Sequence, residues 1–226
     1  MTRLYIVRHC EARGNVDRIF HGVTDSKISE RGAKQLEFLA ERFKDIKIDK
    51  LYSSPLERAI KTAEAVNKYH NLPVIIREDI IEINGGCIEG LPWKQLPVLY
   101  PEQAKNWNLE PHNFAPEGGE SMRQFHQRIW EAMNKIVEES RGQTVAVVTH
   151  GCAIRNFICR VMGYPIERLA EVEWCDNTGV SMVEADDNNN FSIGFINDIT
   201  HLPAELSTFA HQSWWKKENI KSLTFD

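Results

Sequence analysis

The stretch LYIVRHCEARGN, residues 4–15, places an arginine and a histidine directly after a run of four apolar residues. A continuous apolar run such as residues 4–7 predicts a strand that is buried on both faces of a parallel sheet. Ligands of such sheets bind just beyond the carboxyl ends of the strands. Arg8 and His9 follow the strand at that end. We therefore expect both side chains to reach a ligand.

Three further short apolar runs predict strands at residues 50–52, 74–76 and 144–148. Apolar residues at helical spacing fill the intervals between them. Three serines are predicted to be N-caps of these helices, because each precedes a helical pattern: Ser29, Ser54 (followed by Pro55 and Glu57) and Ser121 (followed by Gln124).

The last two predicted strands are not separated by a helix. Residues 180–184 and 191–196 flank the polar turn DDNNN, which predicts an antiparallel hairpin at a sheet edge. Strands that alternate with helices and then give way to a hairpin predict an α/β fold in three layers, α/β/α. Its central sheet would be mostly parallel, with an antiparallel edge strand.

We interpret residues 1–226 as one domain. Within it, residues from about 79 to 119 form a lid-like insertion, because five prolines interrupt the periodicity and Trp93 and Trp107 lie among them. Residues from about 203 to 226 form a C-terminal extension with two adjacent tryptophans, Trp214 and Trp215. We expect this extension to pack over an edge of the core or against a neighbouring subunit in a homodimer.

Composition and charge exclude several classes of function. The formal net charge is −5, so the overall charge does not favour binding to nucleic acid or to an anionic membrane surface. No segment approaches the roughly 20 apolar residues of a membrane span, and the apolar run at residues 4–7 is too short for a signal peptide. The 5 cysteines show no Cys-x-x-Cys spacing, which predicts neither disulfides nor a zinc site. Free thiols predict a cytoplasmic location.

Three segments are predicted to leave strands at one edge of the sheet carrying basic or ionisable side chains. They are Arg8-His9, residues 53–58, which end in Arg58, and His150-Gly151. Two imidazoles and two guanidiniums at one edge form a site for a dianion, because guanidinium groups bind phosphate oxygens in a fork. Nearby helix starts add backbone N–H groups. The pattern therefore predicts a phosphate site.

The same residues carry a family resemblance. The series formed by Arg8-His9 with Asn15, SSPLERAIKTAE, EINGGCIEG, PEGGES, VVTHGCAIR and INDITHL resembles the motifs of the histidine phosphatase superfamily, in order and spacing from about residue 3 to residue 202. The resemblance is closest to the phosphatase branch and implies the phosphoglycerate mutase-like fold.

The resemblance also implies roles. His9 would be the nucleophile that forms a phosphohistidine, and Glu82 would donate the proton to the leaving alcohol. The phosphoryl oxygens would be held by Arg8, Arg58, His150 and Asn15, with His21 and Gly151 also at the substrate. His21 could equally be an ordinary loop histidine. No metal and no cofactor are expected, because the arginines supply the positive charge.

Cys10 departs from the family pattern, which usually has glycine or alanine after the motif histidine. A cysteine phosphatase is excluded, because no cysteine in this chain begins a Cys-x5-Arg loop. Two readings of Cys10 remain. It is either a small residue tolerated in place of glycine, or a thiol whose pKa is lowered by the nearby arginines and which is therefore oxidisable.

Three activities are compatible with this family. The first is a metal-independent phosphomonoesterase acting on a small phosphorylated metabolite, the second a cofactor-dependent phosphoglycerate mutase, and the third a non-catalytic protein that binds a phosphorylated ligand. The lid-like insertion is aromatic and weakly basic, which favours a broad or apolar-tailed phosphomonoester over phosphoglycerate. The catalytic residues are all present, which argues against the binding protein.

Overall fold

The computed structural model describes residues 1–216. Within them, six strands form a single mixed sheet in the order β3-β2-β4-β1-β5-β6. The strands are β1 (Thr2–Arg8), β2 (Lys50–Ser53), β3 (Val74–Ile76), β4 (Thr144–Thr149), β5 (Val180–Ala185) and β6 (Phe191–Asp198). The pairs β3-β2, β2-β4 and β4-β1 are parallel. Strand β5 pairs antiparallel with β1 and with β6. The mostly parallel sheet and the antiparallel edge hairpin are confirmed.

Helices cover both faces of the sheet. They are α1 (Arg13–Val16), α2 (Glu30–Phe43), α3 (Glu57–Val66), α4 (Leu96–Leu99), α5 (Pro101–Leu109), α6 (Met122–Glu139) and α7 (Gly151–Val161). On one face, apolar residues of α2 and α3 pack against Val7 and Val148, and on the other those of α6 and α7 pack against Ile6 and Val147. Successive strand residues point to opposite faces, so both faces of β1 are buried. The three-layer α/β/α architecture is confirmed.

Strand β1 lies between β4 and β5 and places the Arg8-His9 motif beside the VVTHGCAIR motif. Arg8 is aligned with Thr149 of β4, so His9 and His150 leave adjacent parallel strands at the same edge. The backbone N–H of His9 also donates to the carbonyl of Thr149. This pairing brings together two histidines that lie far apart in sequence.

One predicted helix start is wrong. Ser29 and Ser121 are N-caps whose side chains accept from the backbone, but α3 begins at Glu57 with Leu56 as its N-cap. Ser54 instead continues the extended backbone of β2, and its N–H donates to the carbonyl of Val148. Its hydroxyl lies 2.6 Å from Nε2 of His150. The Ser54 hydroxyl therefore bonds to His150 from a distant part of the sequence, and it does not cap the helix as the local pattern predicted.

The lid-like insertion is more structured than its sequence suggested. It contains α4 and α5, and its Ile80, Ile83 and Phe114 are fully buried in the core. Prolines start both helices rather than only interrupting them, because proline fits the first helical turn. None of the helices within residues 1–216 has the length and apolarity needed to cross a bilayer.

Candidate active site

A single cavity at the carboxyl edge of the sheet collects most of the predicted site residues. Its lining includes Arg8, His9, Asn15, His21, Arg58, Glu82 and Gly151. His150 lies directly behind this surface, fully buried, with its ring centroid 5.1 Å from that of His9. The structure therefore places all eight predicted residues in or against one cavity.

The imidazole of His9 is fixed in orientation and held neutral. Its Nδ1 lies 2.7 Å from the carbonyl oxygen of Cys10, which can only accept, so Nδ1 carries the proton and Nε2 presents a lone pair. Burial holds the pKa of His9 well below its ordinary value, and the charges of Arg58 and Arg8 lower it further. A neutral imidazole with an available nitrogen is a nucleophile at neutral pH.

Two buried guanidinium groups provide positive charge beside His9. Arg8 donates from Nη1 to the carbonyl of Cys175, and Arg58 donates to the carbonyls of His21, Gly22 and Thr24 at 2.7–2.9 Å. Burial lowers the pKa of Arg58 to about 10, so it stays charged at neutral pH. The buried Nε of Arg8 and that of Arg58 have no hydrogen-bond partner among residues 1–216. Buried donors without a partner suit an anionic ligand.

His150 and Gly151 mark the start of α7. The Nε2 of His150 lies 2.6 Å from the Ser54 hydroxyl, while its buried Nδ1 has no partner among the described residues. Burial holds the pKa of His150 well below its ordinary value. A Cβ at Gly151 would lie 3.2 Å from Nε of Arg8. Gly151 therefore contributes space for the guanidinium rather than a side chain of its own.

Glu82 faces the same cavity from the lid-like insertion. One carboxylate oxygen accepts from the N–H of Ile83 and the other from the N–H of Cys152, both at 3.0 Å. Loss of hydration raises the pKa of Glu82, although these two N–H groups and the charges of Arg58 and Arg8 oppose the rise. A carboxyl with a raised pKa holds its proton to higher pH, as a proton donor requires.

Asn15 and His21 complete the floor of the cavity. The side-chain oxygen of Asn15 accepts from the N–H of Ala12 at 3.0 Å, which leaves its amide N–H groups for an anion. The His21 ring lies 6.2 Å from the His9 ring, and burial holds its pKa well below the ordinary value. The position of His21 in the cavity favours the functional reading over the ordinary loop histidine. Gly14 permits this position, because a Cβ there would lie 2.4 Å from the imidazole.

Glu89 connects the loop that carries His21 to the segment that carries Glu82. Its carboxylate accepts from the N–H groups of Val23, Thr24 and Gly85 and from the Thr24 hydroxyl, at 2.6–3.1 Å. These four hydrogen bonds bind residues 23–24 to residue 85. The side chain thus shapes the loops around the cavity.

Cys10 does not have the lowered pKa that proximity to arginine suggested. The residue is fully buried, and the loss of hydration raises the pKa of its thiol to about 11. Its N–H donates to the Thr62 hydroxyl on α3 at 2.9 Å. The buried, protonated thiol favours the reading of Cys10 as a small residue in place of glycine.

We expect mild peroxide to inactivate the wild-type protein no faster than a Cys10→Ala variant. A protonated, buried thiol reacts slowly because the thiolate is the nucleophile. The measurement is residual phosphatase activity against time, with thiol labelling of Cys87, which is partly exposed, as the internal standard for oxidant strength. Selective protection by the alanine substitution would restore the redox reading.

Several residues that line the cavity were not singled out by the sequence as site residues. They include Arg18, Asn108, Trp174 and Trp214. Trp214 lies in the C-terminal extension, which we expected to pack over an edge of the core or against a neighbouring subunit; residues 217–226 of that extension lie outside the described residues. The two adjacent tryptophans were the one sequence feature that could have drawn attention to Trp214. Nothing in the sequence pattern connected them with the site at residues 4–15.

Residues 4–198 match the family model described as histidine phosphatase superfamily, branch 1. The chain belongs to the histidine phosphatase superfamily. It is 32% identical to phosphoserine phosphatase 1 of Hydrogenobacter thermophilus, over 94% of this chain and all of that protein. It is also 32% identical to phosphoglycerate mutase-like protein 4 of Arabidopsis thaliana, over 89% of this chain and 87% of that one.

Solved structures agree with the family membership. Bacillus stearothermophilus YhfR superposes with a TM-score of 0.85 at 30% identity and covers 89% of this chain and 99% of its own. The family resemblance and the phosphoglycerate mutase-like fold inferred from the motifs are therefore confirmed. Relatives named as phosphatases support a phosphatase of the histidine phosphatase family.

Proposed function

We propose that this chain is a metal-independent phosphomonoesterase that transfers a phosphoryl group first to His9 and then to water. The observation that carries the proposal is the position of one neutral imidazole, with Nε2 available, beside two buried guanidiniums and a carboxyl of raised pKa in one cavity. The substrate is a small phosphorylated metabolite.

In the first step, Nε2 of His9 attacks phosphorus and the bond from phosphorus to the ester oxygen breaks. Arg8, Arg58, His150 and Asn15 bind the three non-bridging oxygens and neutralise their charge, which is the main requirement of phosphoryl transfer. Glu82 gives its proton to the departing oxygen, so the product leaves as an alcohol. Nδ1 of His9 keeps its proton, held by the Cys10 carbonyl.

In the second step, water attacks phosphorus of the phosphohistidine. The Glu82 carboxylate, now ionised, accepts a proton from that water, and the bond from Nε2 to phosphorus breaks. Inorganic phosphate leaves, and His9 and Glu82 return to their starting protonation states. The proposed catalytic cycle therefore consumes only the substrate and water.

The cavity wall supports hydrolysis rather than the mutase reaction. A phosphoglycerate mutase has to hold the carboxylate of its substrate with basic side chains outside the phosphate site. Among the described residues that line the cavity, Arg18 is the only basic side chain other than Arg8, Arg58 and the histidines. Four tryptophans line the same cavity. We therefore propose that 3-phosphoglycerate with 2,3-bisphosphoglycerate gives no 2-phosphoglycerate.

We expect a phosphoryl label on His9 when the protein is mixed with a labelled phosphate ester and quenched in alkaline denaturant. Phosphohistidine is a phosphoramidate that survives base and decomposes in acid, so the quench must avoid acid. The measurement is peptide mass spectrometry in the presence of a metal chelator. Label on another residue, or labelling that stops when the chelator is added, would contradict the proposal.

A further inference from the structure

Four tryptophans form one wall of the cavity that contains His9. They are Trp93, Trp107, Trp174 and Trp214, here called the tryptophan wall. The ring centroids of Trp93 and Trp107 lie 5.4 Å apart, those of Trp107 and Trp174 5.9 Å apart at an interplanar angle of 27°, and those of Trp174 and Trp214 5.4 Å apart. The wall is therefore a continuous aromatic surface beside the phosphate site.

The last member of the wall is held in place by residues near the nucleophile. Nε1 of Trp214 donates to the side-chain oxygen of Gln212 at 2.6 Å, and the side-chain nitrogen of Gln212 donates to the carbonyl of Asn15 at 3.0 Å. This chain of hydrogen bonds connects the Trp214 ring to a residue of the phosphate site.

The start of the C-terminal extension is anchored to buried carboxylates. The hydroxyl of Ser207 donates to Asp176 at 2.5 Å, and the hydroxyl of Thr208 donates to Glu11 at 3.0 Å. Both carboxylates belong to residues that are about 1% exposed or less. These contacts fix residues 207–208 against the core, a few residues before Trp214.

The charges around the wall select against a cationic leaving group. The Arg18 guanidinium lies 5.2 Å from the Trp214 ring centroid, and that of Arg155 lies 4.6 Å from the Trp174 ring centroid. Within residues 1–216, the acidic side chain that lines the cavity is Glu82, which the proposed mechanism uses as the acid. Arg155 does not line the cavity, so among the described residues an ammonium group beside the wall would meet the charge of Arg18 and no carboxylate other than that of Glu82. A neutral or anionic planar ring meets ring faces and a guanidinium, which suit it.

We infer that the tryptophan wall is a subsite for a planar aromatic ring in the leaving group, and that Trp214 determines specificity for it. This inference rests on the proposed function for the identity of the phosphate site. The preferred substrates are aryl or arylmethyl phosphomonoesters, and alkyl esters of equal size bind less tightly. Trp214 contacts the leaving group and takes no part in phosphoryl transfer.

The test compares two phosphonates that cannot be hydrolysed, benzylphosphonate and cyclohexylmethylphosphonate. Their volumes are similar and, at a pH above the second ionisation of both, where binding is measured, both are dianions. They differ in whether the ring is planar and aromatic. Binding is measured by calorimetry on the wild type, on Trp214→Leu and Trp214→Phe, and on Trp215→Leu as the matched control. Trp215 is the adjacent tryptophan, stacked on Phe209 at 4.8 Å and absent from the described lining of the cavity.

We expect the wild type to bind benzylphosphonate about 3- to 10-fold more tightly than the cyclohexyl compound, the range given by aromatic pairing. Trp214→Leu should bring this ratio close to one, Trp214→Phe should keep part of it, and Trp215→Leu should keep it all. Melting temperatures verify that each variant is folded, and inorganic phosphate affinity reports the phosphate site itself.

A ratio near one in the wild type would overturn the aromatic subsite. Equal loss of the ratio in Trp214→Leu and Trp215→Leu would overturn the specific role of Trp214, because it would show a general effect of the segment. Phosphonate binding requires no turnover. Failure of the subsite is thus distinguishable from failure of the proposed hydrolysis, which the His9 labelling experiment tests.

Discussion

Replacement of His9 by alanine is expected to lower kcat/KM for 4-nitrophenyl phosphate by about 10⁴-fold or more, because it removes the atom that is proposed to bond to phosphorus. Arg8 and Arg58 remain, so the variant should still bind inorganic phosphate. Steady-state hydrolysis with chelator present, together with phosphate titration by calorimetry, measures both effects on the same preparation.

A matched control for this substitution is His70→Ala. His70 contacts the carbonyl of Phe43 at 2.9 Å and does not line the cavity among the described residues, so its removal should change kcat/KM by less than about twofold. Equal activity of the wild type and His9→Ala would exclude the imidazole as nucleophile. If the wild type also lacks turnover but binds phosphate, the protein is a binding protein instead.

Glu82→Gln should produce the second large effect, and its size should depend on the leaving group. The amide is isosteric but cannot act as an acid, so kcat/KM for an alkyl phosphate should fall by about 10²- to 10⁴-fold. With 4-nitrophenyl phosphate the leaving group departs as a stable anion, and the loss in kcat/KM should stay below about tenfold. The comparison of the two esters is the measurement.

The pH profile gives a separate readout of the same substitution. His9 has to be neutral, and burial lowers its pKa, so kcat/KM falls only when the pH drops well below 6.5. Glu82 has to be protonated, and burial raises its pKa, so kcat/KM falls as the pH rises through a value above 4.5. In the Glu82→Gln variant, the fall in kcat/KM that deprotonation of Glu82 causes should disappear. Any change in kcat/KM caused by ionisation of the substrate should be the same in the wild type and the variant.

Glu78→Gln is the matched control for Glu82→Gln, because Glu78 is exposed and lies four residues earlier on the same segment. It should leave both the leaving-group dependence and the pH profile unchanged. Equal losses for alkyl and nitrophenyl esters in Glu82→Gln would contradict the role of Glu82 as proton donor and would instead indicate a structural role for its hydrogen bonds to Ile83 and Cys152.

The sequence predicts the central part of this fold well, because the central strands are buried on both faces and are therefore continuous apolar runs. Residues 4–7 and 144–148 lie in β1 and β4, and their alignment in the sheet is enough to bring His9 and His150 together. The family motifs supplied the partners that periodicity alone does not reveal, including Glu82 in a segment without regular spacing.

The errors and omissions have a common physical origin in long-range contacts. Ser54 carries every local sign of a helix cap, yet its hydroxyl contacts His150 from another strand. The charge of Arg58 lowers the pKa of the Cys10 thiol, yet the loss of hydration on burial dominates and raises it. Trp214 reaches the cavity through Gln212 and Asn15, a contact across almost the full length of the chain. No local pattern contains such information.

The contacts of Arg58 make substrate affinity and loop order two aspects of one equilibrium. Its guanidinium faces the anion site and simultaneously holds the carbonyls of His21, Gly22 and Thr24. By thermodynamic reciprocity, an ordered loop strengthens anion affinity by the same factor by which a bound anion stabilises the ordered loop. Variation in residues 21–24 can therefore tune how tightly phosphate is retained without altering any group that takes part in bond making.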